Sequence, residues 1–332
     1  MKFVNINNID KIKWNDFVLN HPNGNFFQTY DYFDLQTKCK LSEPVGYAVI
    51  VNDEIAGLIV GVILKNYFWP VNIFTKRLIV MGGPLIKNDK VEVFDFLINN
   101  FCSVEKQNSV YVQFRNLWKF DKAKFDFIKY GFFYEEHLDI IHDLTIDKNQ
   151  ISKNISKSKR GNINKSINKG TIVREIYSFD EYIEGVKLIT LTYKRIGLPC
   201  PEDDYFINAY NLYNDSGKIK SFGAFVENEL IAMRIEICYK NTIYDWYTGD
   251  KAGFNNRYPN DLLPYNILLW GKENGYKIFD FGGAGKPGIS YGVREHKLKF
   301  GGSLVEYGRY KKINNRLLMW IFNFGMLFKK KK

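Results

Sequence analysis

Residues 48–66 read AVIVNDEIAGLIVGVILKN and residues 223–241 read GAFVENELIAMRIEICYKN. The two align without a gap at an offset of 175, with Val51/Val226, Glu54/Glu229, Lys65/Lys240 and Asn66/Asn241 identical. Each copy is a β-rich run, a polar pair (Asn52-Asp53, Glu227-Asn228) and a second β-rich run, which is the pattern of a hairpin closed by a tight loop. A repeated hairpin implies a repeated fold unit. A second match follows in the same order: FIKYGFFYEE at 127–136 against KLKFGGSLVE at 297–306, with Lys129/Lys299, Gly131/Gly301 and Glu136/Glu306 shared at offset 170.

Working outward, each half carries helical periodicity (14–20 and 28–38; 178–197 and 201–214), the hairpin, a helix (90–106; 260–274), a buried strand (109–114; 277–282), then a charged helical stretch and a last strand. The expectation is an α+β chain of two tandem units, each a mostly antiparallel mixed sheet flanked by helices. Length agrees, since 332 residues make about two domains. Domain bounds are expected at 1–147, 171–312 and a basic amphipathic tail at 313–332. Residues 148–170 form the junction, with seven Lys/Arg and no acid. Ile151/Ile155 and Ile163/Ile167 stand four apart there, so the junction reads as one amphipathic helix, either a phosphate-contacting face or a solvated linker.

Composition excludes several classes. With 45% hydrophobic and 25% charged residues the chain is neither disordered nor fibrous. Its four cysteines and four histidines are too scattered for a ligand set, so no metal site is expected, and the cysteines suit a reducing, cytoplasmic setting. No apolar stretch reaches a membrane span and no signal sequence opens the chain. A net charge of +11 favours an anionic partner: nucleotide, nucleic acid or acidic lipid. LLMWIFNFGMLF at 317–328, followed by four lysines, reads either as an in-plane anchor on the inner face of the membrane or as a packed C-terminal helix.

Six pieces of the second half stand in a telling order: Arg160-x-x-Ile163-x-Lys165; Thr192-x-x-Arg195-x-Gly197; Tyr244-Asp-Trp246-Tyr247-x-Gly249; Pro259-Asn260; Asp280-Phe-Gly282-Gly283; and Lys297-x-x-Phe300-Gly301. The first half adds Trp14-x-x-Phe17 and Phe27-Gln28-Thr29, with Lys38 ten residues after Gln28. With the element order, this resembles the Fem family of peptidoglycan-bridge aminoacyltransferases and their acyltransferase relatives, whose fold is a duplicated Gcn5-related N-acetyltransferase (GNAT) unit. Two departures stand out: Gln113-Phe-Arg115-Asn116 replaces the family's Arg-x-Asp-Pro near the acceptor, and Pro201-Glu202 occupies the place of a second arginine.

The resemblance implies an N-acyltransferase moving an acyl or aminoacyl group from acyl-CoA or aminoacyl-tRNA, used as co-substrate with no resident cofactor, to an amino group on a nucleotide- or lipid-linked cell-envelope glycan precursor. Alternatives are a strict tRNA-dependent peptidoglycan-bridge enzyme and a nonenzymatic nucleic-acid binder using 148–170. Lys297 matches the family's catalytic lysine, with His296 in place of an aromatic, and Lys38 matches its acceptor-phosphate lysine. From the residues themselves, Asp280 either hydrogen-bonds the incoming amine or caps the loop that follows. Tyr247 and Tyr291 are hydroxyls suited to a leaving group or sugar. Gly282 and Gly283, with Lys286 in the glycine loop after them, form a phosphate-contacting nest. Arg160, Lys165, Arg195, Trp246, Asn260, Arg294 and His296 complete the expected binding set. No Ser-His-Asp or Cys-His arrangement is present, which points to direct transfer.

Overall fold

The repeat is written into the backbone. In a computed structural model that describes residues 1–65 and 74–321, Asn52 and Asp53 both have positive φ (50° and 61°), as do Glu227 and Asn228 (51° and 67°). That is the geometry of a turn whose twist matches its flanking strands. A bulge falls between Val49 and Ile50 in one hairpin and between Ala224 and Phe225 in the other, again 175 residues apart.

The chain divides into two compact units: Met1–Glu136 together with the segment from Tyr307, and His137–Glu306. The first contains β1 (Lys2–Asn5), α1 (Lys11–Asn20), α2 (Tyr30–Thr37), β2 (Ser42–Val51), β3 (Glu54–Leu64), β4 (Arg77–Met81), β5 (Leu85–Ile86), α3 (Val91–Glu105), β6 (Tyr111–Arg115) and β7 (Phe133–Glu135). The second contains β8 (Leu138–Asp143), α4 (Lys148–Asn154), α5 (Lys157–Asn168), β9 (Ile172–Glu175), α6 (Phe179–Arg195), α7 (Asp203–Tyr213), β10 (Ile219–Val226), β11 (Glu229–Tyr239), β12 (Thr242–Asp250), α8 (Pro259–Glu273), β13 (Ile278–Gly283), α9 (Gly292–Leu298) and β14 (Ser303–Glu306). A last strand, β15 (Arg309–Ile313), returns to the first unit's sheet.

The first sheet runs β1-β2-β3-β4-β6-β15-β7, with β5 beside β3; the second runs β14-β8-β13-β12-β11-β10-β9. Both are antiparallel except for one central parallel pair each, β4/β6 and β12/β13. This is the α+β plan expected from the sequence.

Three features differ from the sequence reading. The stretch 148–170 lies inside the second unit and is two helices, because Ser156 takes an extended backbone and caps α5. Ile151, Ile155 and Ile163 enter that unit's core, while Ile167 stays exposed. Residues 309–313 belong to the first unit as β15, bonded on both edges by β6 and β7. The tail begins on that same unit: Asn314 donates to Glu105 and Ser109, and Leu318 and Met319 pack on Ile79, Val110 and Tyr111. Leu317 and Trp320 face solvent, and the rest of the apolar run with its four lysines lies outside the described residues.

In the first unit β3 and β4 pair only at Val62/Ile79, Ile63/Leu78 and Leu64/Arg77. Two residues further along, the fully buried amide of Gln28 stands between the strands. It donates to the carbonyls of Val60 (2.9 Å) and Met81 (2.7 Å) and accepts from Val60 N–H (2.9 Å). One side chain thus replaces a rung of the ladder and satisfies three backbone groups that would otherwise be buried unpaired. Gln28→Leu should therefore destabilise the protein by ~3 kcal/mol or more, since each stranded group costs ~1–3 kcal/mol. The check is urea unfolding, with a lower midpoint at unchanged slope.

Candidate active site

The two parallel pairs end differently. β4 and β6 are in register over five positions, from Arg77/Tyr111 to Met81/Arg115. β12 and β13 pair only at Thr242/Ile278, Ile243/Phe279 and Tyr244/Asp280, although β12 continues to Asp250 and β13 to Gly283. Beyond the third rung the strands part. Asp245, Trp246 and Tyr247 follow on one side of the mouth, and Phe281, Gly282 and Gly283 on the other.

A charged cluster sits at this mouth. Lys297, from α9, donates through Nζ to the Phe281 carbonyl and, at 3.3 Å, to that of Gly283, and its amine lies 5.1 Å from the centre of the Phe281 ring. Asp280 is buried and accepts from Gly282 N–H at 2.8 Å. That turn gives Gly282 a φ of +74°, which suits glycine.

β11 supplies two charges that the sequence reading passed over. Arg234 pairs through Nη1 with Asp245 Oδ1 at 2.5 Å, both side chains under one-tenth exposed, and stands 5.3 Å from the centre of the Phe281 ring. Glu236 is fully buried, and neither carboxyl oxygen has a hydrogen-bond partner. A β-bulge puts Glu236 directly opposite Asp245 and leaves Trp246 as the extra residue, so two carboxyls share one arginine. The available signal was an Arg and a Glu two apart within an otherwise apolar strand, ELIAMRIEICY.

Four carboxyls (Asp139, Asp245, Asp280, Glu236) therefore lie within electrostatic reach of two bases (Arg234, Lys297). Burial pushes Asp280 up to about 7, with Asp139 and Asp245 adding to the rise and the Gly282 N–H and Lys297 opposing it. Burial, then Asp245, raises Glu236 well above the usual carboxyl range. Burial lowers the Lys297 amine, with Asp245 drawing it back. The site thus holds exchangeable protons near neutral pH, a requirement of acid–base chemistry.

Other expected residues fall into three groups. Tyr247 and Trp246 join Tyr193, Tyr205 and Phe206 in an aromatic wall, Tyr247 lying 5.0 Å from Phe206 and Trp246 5.2 Å from Tyr205. Tyr291, partly exposed, lies against Gly285, where an added Cβ would meet its ring at 3.1 Å. Arg294 holds the glycine loop from within, donating to the carbonyls of Ala284 (3.2 Å), Lys286 (2.7 Å) and Ile289, while Lys286 itself is exposed.

His296 and Asn260 meet at the base of α9, where Lys159 Nζ is 2.9 Å from His296 Nδ1. The third group serves the scaffold. Arg160 donates to the carbonyls of Lys153 and Ile155, Arg195 pairs with Asp250 at 2.7 Å beside the Thr192 hydroxyl, and Lys165 is exposed near the Tyr258 ring. Lys38 belongs to the first unit, where it pairs with Asp34 at 2.5 Å. Among the described residues no His/Cys/Asp/Glu group is arranged to hold a metal ion.

The Asp280 shift fixes a sign. Its carboxyl is raised in the folded protein above the ordinary value of 3.8, so its protonated form favours the fold, and that contribution is lost as pH rises through about 7. Asp280→Asn removes the titration. The variant should gain stability relative to the wild type between pH 4 and 7, read as the difference in urea midpoints; a difference constant with pH would assign the shift elsewhere.

Residues 193–297 match the Acetyltransferase (GNAT) domain family. No curated protein matches the chain in sequence. Among solved structures, FemX superimposes with a TM-score of 0.74 at 15% identity, over 97% of this chain and 99% of that one. L-PGS from Bacillus licheniformis gives 0.60 at 16%, over 95% and 96%. A tandem GNAT protein of the clavulanic acid biosynthesis pathway gives 0.59 at 10%, over 95% and 98%. At these identities the likeness is one of fold, and it spans both units. Together with the domain match within the second unit, it gives this chain a tandem GNAT fold similar to that of FemX.

Proposed function

We propose that the second unit transfers an acyl or aminoacyl group from an activated donor to an amino group of a cell-envelope glycan precursor, nucleotide- or lipid-linked. The observation that carries this reading is the Lys297 amine fixed at the mouth between β12 and β13, beside a buried carboxyl that titrates near neutrality. The neutral amine of the acceptor attacks the donor carbonyl. Lys297 donates hydrogen bonds to the oxygen as it becomes an oxyanion, Asp280 takes the proton the amine releases, and as the carbonyl re-forms and the bond to the leaving group breaks, that proton passes from Asp280 to the leaving group. Gly282 and Gly283 let the donor approach the backbone, and the Tyr247–Trp246 wall offers it a stacking face.

Two donors suit this scheme, acyl-CoA and aminoacyl-tRNA. The fold likeness to FemX supports the aminoacyl donor. A strict peptidoglycan-bridge acceptor is less well supported, because Arg115 donates to Gln113 where the family carries an acid. Binding of nucleic acid through 148–170 is also weakened. Lys148 pairs with Glu273, Lys159 with Asp261, and Arg160 and Lys169 bond backbone carbonyls, so four of the seven bases have protein partners.

The test is incubation with charged tRNA or acyl-CoA plus amino-sugar nucleotides, with mass spectrometry for an amide product. If no donor in the panel is consumed, the reading fails. With the active donor, Lys297→Ala should lower kcat ~10²–10³-fold while the melting transition is kept, as expected for loss of an oxyanion donor.

A peripheral place on an anionic membrane fits the exposed Leu317 and Trp320 and the lysine-rich end of the sequence. Because 309–315 are built into the first unit, the cut that tests this is removal of 322–332. Binding to phosphatidylglycerol vesicles should be lost on truncation, and weakened in the intact chain by 1 M salt, where the Debye length falls to ~3 Å. Equal vesicle binding by the truncated and intact chains would refute the anchor.

A further inference from the structure

α9 carries Lys297, yet it is seven residues long, has no side-chain N-cap and contributes no fully buried side chain. Its apolar attachment to the core is the partly buried Leu298 at its end. Polar contacts hold it, and two of them lie beside the bonds that Lys297 itself makes to the Phe281 and Gly283 carbonyls. Arg294 ties it to the glycine loop, and His296, one residue from Lys297, is engaged from the opposite side by a buried chain of groups. Lys159 of α5 is buried; its Nζ bonds Asp261 of α8 and lies 2.9 Å from His296 Nδ1. Asn162, also on α5, donates to the second Asp261 oxygen at 2.7 Å. The His296 ring lies 5.5 Å from that of Phe300, and the Lys159 amine stands 5.2 Å from the same ring.

We infer that Lys159 and Asp261 are positioning residues for the reaction: through the ring of His296 they set the orientation of α9 and so aim Lys297 at the mouth between β12 and β13. Lys159 is the one basic residue of the stretch that is buried. Its amine has only donors, so the bond to His296 requires an unprotonated Nδ1 and places the ring proton on Nε2. The surroundings favour that neutral ring. Burial and the charges of Lys159 and Arg234 hold His296 down to about 4, against the pull of Asp261 and a backbone hydrogen bond at Asn260. A base one residue from Lys297 is thus kept as an acceptor and removed from proton transfer.

The kinetic part of the test rests on the acyl-transfer reading; the spectroscopic part does not. In protein labelled with nitrogen-15 at histidine, His296 should be the neutral Nε2–H tautomer from pH 7 to below 5 and should change its signals in Lys159→Met. A protonated ring or an Nδ1–H tautomer in the wild type at pH 7 overturns the proposal, whether or not the variant folds. With the donor found by mass spectrometry, Lys159→Met should lower kcat ~10–100-fold with KM within about twofold, as for a misplaced catalytic group.

Removing the whole chain at once, in Lys159→Met/Asp261→Asn/His296→Phe, leaves no buried charge unpaired and should recover part of that loss. Loss confined to KM, or a triple variant whose loss is the sum of the single losses, would overturn the positioning role. Absence of any donor turnover would count against the acyl-transfer reading alone, since the tautomer is read independently of it.

Discussion

The ion pair between Arg234 and Asp245 is the constraint around which the second unit is arranged. Both side chains are withdrawn from water on adjacent strands, and Arg234 stands over Phe281, a member of the unit's core. Desolvating two charges is costly, and their attraction offsets this only when geometry is close and further hydrogen bonds are made. Here the bulge beside Glu236 brings Asp245 within reach of Arg234, and it does so where β12 and β13 cease to pair. A pair of this kind adds little to stability against an apolar alternative. Its effect is on neighbours: burial is the main cause of their shifted titration, and the pair adds a positive charge beside Glu236 and a negative charge beside Lys297 and Asp280.

The first unit shows what the same scaffold looks like without that chemistry. At the offset of 175, Arg234 corresponds to Ile59 and Glu236 to Gly61; at the offset of 170, Lys297 corresponds to Phe127. Ile59 and Phe127 are fully buried, and Phe127 stacks on Tyr310 at 4.3 Å. A Cβ on Gly61 would meet Leu78 and Val80, so that position is closed by apolar packing. The parallel pair β4/β6 stays in register along its whole length, and the weak point in the ladder, beyond Val62, is sealed by the Gln28 amide. At these equivalent positions the buried charges therefore stand in the second unit and apolar packing in the first.

Much of this was legible in the sequence because the signals were local. A hairpin turn needing positive φ at two residues announces itself as Asn-Asp or Glu-Asn between β-rich runs, and the gapless repeat carried the whole architecture with it. Asp280, Gly282 and Lys297 were found because they stand in short motifs whose members meet in space. What escaped was non-local. β15 lies far along the chain from the strands it joins, and no periodicity tells a strand which sheet it will enter. Arg160, Arg195 and Arg294 are expected at ligands, and the fold shows that each also bonds carbonyls or a carboxylate of its own unit. An arginine's five donors serve a loop as readily as a phosphate, and only the fold decides which.

The basic stretch makes the same point about charge. Its seven positive residues read as one electrostatic feature, yet they do different things once folded: Lys159 is a buried structural cation, Arg160 a clamp on the α4–α5 junction, and Lys165 a solvent-facing charge. Net charge counts all of them equally, but the field at a ligand depends on which remain uncommitted and hydrated. The buried acids are the opposite case. Glu236 and Asp280 are acids in a basic protein, and because burial holds protons on them near neutrality they contribute less negative charge than their formula implies. Their value to the site lies in that suppressed ionisation, since a carboxyl can accept a proton during a turnover at neutral pH and return it afterwards only if its affinity for the proton has been raised to match.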